Sequence, residues 1–171
     1  PNGAPKCEVC PLREQCRAFE LEIQLELPVK AKAKERRIEK KTILLFQDGE
    51  SVAIRKRDTK GLLAGLYEFP NRLGHLSEEE VIEYAKTIGL QPIHIKKLSE
   101  GKHIFSHVEW HMIGYRIRVD ELEKACDEEF LFIHPEEIQN QYPIPAAFET
   151  YTKYLEIKLG QEKYELEGES R

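Results

Sequence analysis

Three cysteines open the chain at ligand spacing. Cys7, Cys10 and Cys16 stand as C-x2-C-x5-C in "PNGAPKCEVCPLREQC", with a proline after the second. Thiolates this close in sequence bind zinc or an iron–sulfur cluster, and such centres take four ligands. A zinc knuckle closed by a histidine is the competing chemistry for the same spacing. A second group is the run Lys102-His103-Ile104-Phe105-Ser106-His107, which places an ammonium, two imidazoles, an aromatic ring and a hydroxyl side by side. A third is Glu83 with its helical neighbours Lys86 and Thr87. Carboxylates at i, i+3 and i+4 share one helix face and can hold Mg²⁺, which takes oxygen ligands. Here only the first of those positions is a carboxylate, and a lysine on that face opposes a cation. Cys126 lies far from the other cysteines among acidic residues and reads as a plain structural or surface residue. His111, His134 and Trp110 stand near apolar residues and read as structural, Trp110 as core.

Elements must position these groups. Residues 1–19 read as a cysteine-bearing loop, and 20–40 as an extended, charged connector interrupted by Pro28. "KTILLFQ" and "SVAIRKR" then read as two strands joined through Asp48-Gly49, a hairpin-turn dipeptide. "GLLAGLYEFP" is glycine-rich and ends in a short aromatic strand. It lacks the Gly-Lys-Ser/Thr ending of a phosphate-binding P-loop, so its glycines read as turn residues. "SEEEVIEYAKTIGL" predicts a helix, with Ser77 and Glu80 as a capping box, Val81, Ala85 and Ile88 as its apolar stripe, and Gly89 as its stop. "QPIHIKKLSEG" predicts a strand, and "KHIFSHVEWHMIGYRIRV" continues in β alternation broken at Ser106–His107. "EFLFIHPEEI" predicts a strand running into a helical turn, and "PAAFETYTKYLEIKLG" a final amphipathic helix. The order predicts an α+β domain, a mixed sheet flanked by helices, over 41–160, followed by an acidic tail over 161–171.

The chain has 171 residues, 40% hydrophobic and 33% charged, which suits one packed domain with an appendage. No apolar run nears the ~18 residues of a membrane span, and the N-terminus shows no apolar signal segment. A cytoplasmic setting is expected, where clustered cysteines bind metal more often than they pair. The net charge of −5 conceals an asymmetry. "PVKAKAKERRIEKK" and "IRKRDTKG" are basic, while "VDELEKACDEEF" and the C-terminus are acidic. Basic stretches of this kind either face solvent or meet a polyanion.

Taken in order, the cysteine run, the basic connector, "GLLAGLYEFP" with the helix ending in Gly89-Leu90, and "HIFSH" resemble the C-terminal part of adenine DNA glycosylases of the MutY type. The resemblance covers nearly the whole chain. It implies a NUDIX-like fold preceded by the end of a [4Fe–4S] cluster loop of pattern C-x6-C-x2-C-x5-C. Cys7, Cys10 and Cys16 match the last three ligands, and six residues before Cys7 reach Pro1. The expectation is a fragment cut just after the first ligand, without an intact cluster. The family's NUDIX hydrolase relatives carry R-E-U-x-E-E-x-G-U on the helix, where U is a bulky aliphatic. Aligned on Gly89-Leu90, this chain has Ile82 for the arginine, Glu83 for the first glutamate, and Lys86 and Thr87 for the glutamate pair, so no Mg²⁺ and no hydrolysis are expected.

The resemblance further implies that the parent enzyme removes adenine mispaired with 8-oxoguanine in base excision repair. In the family, a glutamate and an aspartate of a helical domain do this, and no part of that domain is in this sequence. No catalytic residue is therefore assigned here. The family's Phe-Ser-His loop, which meets 8-oxoguanine, matches Phe105, Ser106 and His107. Guanine N7 accepts a hydrogen bond, whereas in 8-oxoguanine it carries a proton and donates, so a serine oxygen can receive it. Phe105 either wedges into the base stack or anchors the loop; His107 either contacts the backbone or braces the loop. Lys102 and His103, and more weakly Lys96 and Lys97, are phosphate candidates. The implied partner is double-stranded DNA bearing 8-oxoguanine opposite adenine, with repair or replication proteins at the connector and no membrane. The alternatives are a divergent NUDIX-type nucleotide hydrolase and a protein-interaction module.

Overall fold

A computed structural model describes residues 4–27, 29, 35–120 and 129–159. Two compact units divide the chain, Pro1–Glu35 and Arg36–Arg171. Cys126 and the tail over 161–171 lie outside the described residues.

The first unit is a succession of tight turns. Cys7–Val9 and Arg13–Gln15 form single 3-10 turns, and α1 (Arg17–Glu20) is one helical turn. The Cys10 amide donates to Cys7 O at 3.3 Å, and Cys10 O accepts from the Arg13 amide at 3.1 Å. Cysteine backbones thus close the turns.

The second unit is built on β1 (Arg37–Asp48). From Lys41 to Phe46 every residue of this strand is buried, as expected for a strand covered on both faces. Side chains alternate across a strand. Ile43 and Leu45 accordingly join one apolar cluster, and Leu44 and Phe46 the other. β1 turns into β2 (Ser51–Lys56) through Gly49, whose φ of 54° lies in the left-handed region that glycine adopts without strain. Beyond it lie β3 (Tyr67–Glu68) and β4 (Asn71–Leu73). Next comes α2 (Glu78–Thr87), opened by the expected reciprocal capping box of Ser77 and Glu80. β5 (Pro92–Ile104), β6 (Val108–Val119) and β7 (Leu131–Ile133) complete the sheet. The strand order is β3-β2-β1-β6-β5, with β4 on β1 and β7 on β2. β1 and β6 run parallel from Arg37 beside Val108 to Gln47 beside Arg118; the other pairings are antiparallel.

Helices cover both faces. Val81, Ala85 and Ile88 of the α2 segment cover Leu44, Phe46, Ile113 and Ile117. The opposite face packs Ile43, Leu45, Trp110 and Met112 under Phe148, Tyr151 and Leu155. α3 (Pro135–Gln141) contributes Ile138 to that side. The final segment differs from the single long helix its periodicity predicts. It is a 3-10 turn (Ala146–Phe148), the single turn α4 (Glu149–Thr152), and a second 3-10 turn (Lys153–Leu155) stopped by Glu156 at φ 56°. The threonines at 150 and 152 are poor helix formers. Apolar contacts from Phe148, Tyr151 and Leu155 to the sheet set the path instead.

Candidate nucleic-acid interface

β5 and β6 form a hairpin whose last pair is Ile104 and Glu109, and Phe105-Ser106-His107 is its tip. The Phe105 amide donates to Val108 O at 2.8 Å and closes the turn. Two residues ahead of or opening β1 hold the same tip from the side. Arg36 Nε donates to Phe105 O at 3.1 Å, and the Arg37 amide donates to His107 O at 3.2 Å. Parallel pairing of Arg37 with Val108 puts them there.

The three side chains have different surroundings. Phe105 is half-buried, edge-on to Trp110 at 4.9 Å and to His103 at 4.6 Å between ring centroids. Here the ring anchors the tip. Trp110 is 1% exposed and, as expected, core. Its indole N–H donates to Glu39 Oε2 at 3.0 Å, and Glu39 Oε1 receives Arg37 Nη2 at 2.5 Å. Ser106 and His107 are exposed, with Ser106 Oγ and His107 Nδ1 3.5 Å apart. Their polar atoms therefore face solvent from a tied backbone.

Lys102 is exposed but engaged, its Nζ 2.6 Å from Glu109 Oε1, which also meets His111 Nε2 at 2.6 Å. Hydrogen bonds from Lys102 and then His111 hold the Glu109 carboxyl below its ordinary range. His111 O in turn meets His75 Nε2 at 3.0 Å. Lys102, His103 and the tip are thus brought together, whereas Lys96 and Lys97 sit beyond the β5 irregularity between Leu98 and Gly101. His134, read as structural, caps α3 by accepting from the Glu136 amide at 3.4 Å. The residues that sequence reasoning missed are Arg36, Arg37 and Glu39. Composition places them in the connector, but the β-type spacing of Arg37 and Glu39 is a signal that they share a face.

On α2, Glu83, Lys86 and Thr87 all face solvent, and Thr87 Oγ donates to Tyr84 O at 2.7 Å. Among the described residues, no three His, Cys, Asp or Glu side chains converge as a metal site. Cys7 and Cys16 are half-buried and Cys10 exposed. These three thiols fall short of the donor set a four-thiolate cluster takes.

The NUDIX domain profile matches residues 42–154. An adenine DNA glycosylase of Arabidopsis thaliana is 32% identical over 135 residues, 61% of this chain and 21% of that protein. An adenine DNA glycosylase of Schizosaccharomyces pombe is 24% identical over a 207-residue alignment, 91% of this chain and 44% of that protein. The chain thus spans less than half the length of these curated relatives. Among solved structures, the C-terminal domain of mouse MUTYH, in complex with human PCNA, superposes with a TM-score of 0.53 at 21% identity. That match covers 74% of this chain and 97% of the mouse chain. A MutT protein from Methanosarcina mazei gives 0.53 at 16% identity, covering 72% and 96%. Both share the fold.

Proposed function

The chain belongs to the NUDIX domain family, and from that premise we propose that it is the lesion-recognition part of an A/G-specific adenine DNA glycosylase. It reads 8-oxoguanine opposite a mispaired adenine. The observation that carries this reading is the β5–β6 tip: two exposed polar side chains, Ser106 and His107, on a backbone tied by Arg36, Arg37 and the Phe105–Trp110 contact. A pre-set loop spends little entropy on binding. Ser106 Oγ accepts a hydrogen bond from the N7–H that 8-oxoguanine has and guanine lacks. His107 contacts the nearby backbone, and Lys102 and His103 add positive charge beside it. The similarity to the fission-yeast glycosylase, which takes in 91% of the chain, supports one continuous inheritance.

Hydrolysis of the adenine N-glycosidic bond belongs, in this reading, to the remainder of such an enzyme, together with a [4Fe–4S] cluster to which Cys7, Cys10 and Cys16 contribute. The connector ahead of β1 is the place for a replication or repair partner, in keeping with the complex of the mouse domain with human PCNA. No described helix is long and apolar enough to cross a membrane. A hydrolase reading is disfavoured because Glu83 stands beside Lys86 and Thr87 where three carboxylates would be needed. The test is an amide-shift titration with a short duplex containing 8-oxoguanine opposite adenine. Shifts centred on Ser106 and His107 are expected; shifts confined to α2, or none, would overturn the reading.

A further inference from the structure

A cleft of about 1060 Å³ lies on the second unit, between β2, β3, β4 and the start of β7. Six cations line it: Lys41, Arg55, Lys56, Arg57, Lys60 and Arg72. Glu68, 3% exposed, is its innermost carboxylate. One Glu68 oxygen receives Arg55 Nε at 2.9 Å and the other receives Arg57 Nη1. Arg57 Nε is also spent, on Leu62 O at 3.1 Å. The two arginines are thereby fixed in place and Glu68 is used up. Asp58 and Glu129 are exposed and do not neutralise the interior.

Lys41 is the anomaly. It is only 8% exposed, and its Nζ sits 4.5 Å over the face of Trp110. Among the described residues its ammonium has that indole face but no hydrogen bond or ion pair. Burial pushes its pKa down. An ammonium carries three donors, and that of Lys41 lines the cleft, its charge only partly offset by the Glu39 and Glu68 carboxylates. The lining thus offers unspent positive charge at its floor as well as at its rim.

We propose that this cleft binds a phosphodiester of the DNA backbone, through cations alone, as a second anchor beside the reading tip. The proposal rests on the DNA reading above. Trp110 joins the two places: Lys41 lies over its ring and Phe105 packs at 4.9 Å from it. A strand covers such a separation in a few nucleotides, since each strand carries a phosphate about every 3.4 Å of helix axis. Lys56, Lys60 and Arg72 are exposed and extend the positive surface outward. A free nucleoside polyphosphate concentrates charge that enzymes meet with Mg²⁺ and carboxylates, but Glu68 is engaged by arginines. A phosphodiester carries one charge per group and is matched by cations.

The experiment is duplex binding by the 171-residue chain over a salt series, for wild type, Lys41→Met and Lys56→Gln/Lys60→Gln. Each phosphate contact contributes about 0.9 to the log–log salt slope. Both variants are expected to lose about that much slope or more and to bind 8-oxoguanine and guanine duplexes weaker by the same factor. Lys41→Met also removes the ammonium from the Trp110 face, so its melting temperature is measured beside its binding. The exposed double variant reports independently of folding. Unchanged slopes in both variants, with wild type binding DNA, overturn the anchor alone. A wild type that binds no duplex overturns the DNA reading and the anchor together. Saturable binding of inorganic pyrophosphate that Lys41→Met abolishes, with the DNA slope unmoved, assigns the cleft to a free phosphate compound and overturns the proposal.

Discussion

Replacing Glu39 with alanine tests how the β5–β6 tip is held. Glu39 bridges two groups. It accepts the Trp110 indole N–H at 3.0 Å and pairs with Arg37 at 2.5 Å. The two losses differ in size. The Arg37 side chain is 73% exposed, so that ion pair contributes at most about 1 kcal/mol. Trp110 is 1% exposed, so its N–H would be left buried without an acceptor, a cost of about 1–3 kcal/mol. A total near 2 kcal/mol lowers the melting temperature by about 4–8 °C at this chain length. Trp110 is the single tryptophan, so its emission reports this site directly. Glu39→Ala should change that emission and loosen Phe105, which rests on the indole. Glu39→Gln keeps an acceptor oxygen and should lose less. Trp110→Phe removes the donor, so adding Glu39→Ala to it should cost about 1 kcal/mol or less beyond the single variant, the coupling being the difference. If Glu39→Ala leaves both melting temperature and emission at wild-type values, Glu39 does not hold the tip.

Two further outcomes follow from local geometry. A Cβ at Gly114 would clash with the ring carbon Cε1 of Tyr151, so Gly114→Ala should destabilise by about 1–3 kcal/mol through overpacking, with thermal unfolding as the measure; Tyr151→Leu in the same background should recover part of that loss. The Glu109 carboxyl is held below its ordinary value of 4.5 by Lys102 and His111, so its contribution is complete above that pH and lost as acid protonates it below. The stability gap between wild type and Glu109→Gln should therefore shrink as the pH falls below 4.5, and a gap that widens in acid would contradict the assignment.

What could be read from the sequence was local. The Asp48-Gly49 turn, the Ser77/Glu80 box and the break at Ser106–His107 each depend on a few adjacent residues, and each stands where expected. The parallel alliance of β1 with β6 joins residues some seventy positions apart, and no short-range pattern encodes it. The support of the tip by Arg36, Arg37 and Glu39 depends on that alliance, so composition left them in a connector. Lys41 was hidden for a related reason. In "EKKTILL" it looks like the last solvated charge before the core, but the sheet carries it under cover beside Trp110. The final segment shows the opposite failure: its apolar spacing suits a helix, yet packing on the sheet breaks it into turns.

The central claim is that this chain distinguishes 8-oxoguanine from guanine through Ser106. The direct measurement is the ratio of dissociation constants for guanine:adenine and 8-oxoguanine:adenine duplexes, at one fixed salt concentration, for wild type and Ser106→Ala. Wild type is predicted to favour the 8-oxoguanine duplex, and the substitution to cut that preference by an amount corresponding to about 1–3 kcal/mol while leaving guanine:adenine binding nearly unchanged. Equal weakening on both duplexes, or no preference in the wild type, would contradict the account.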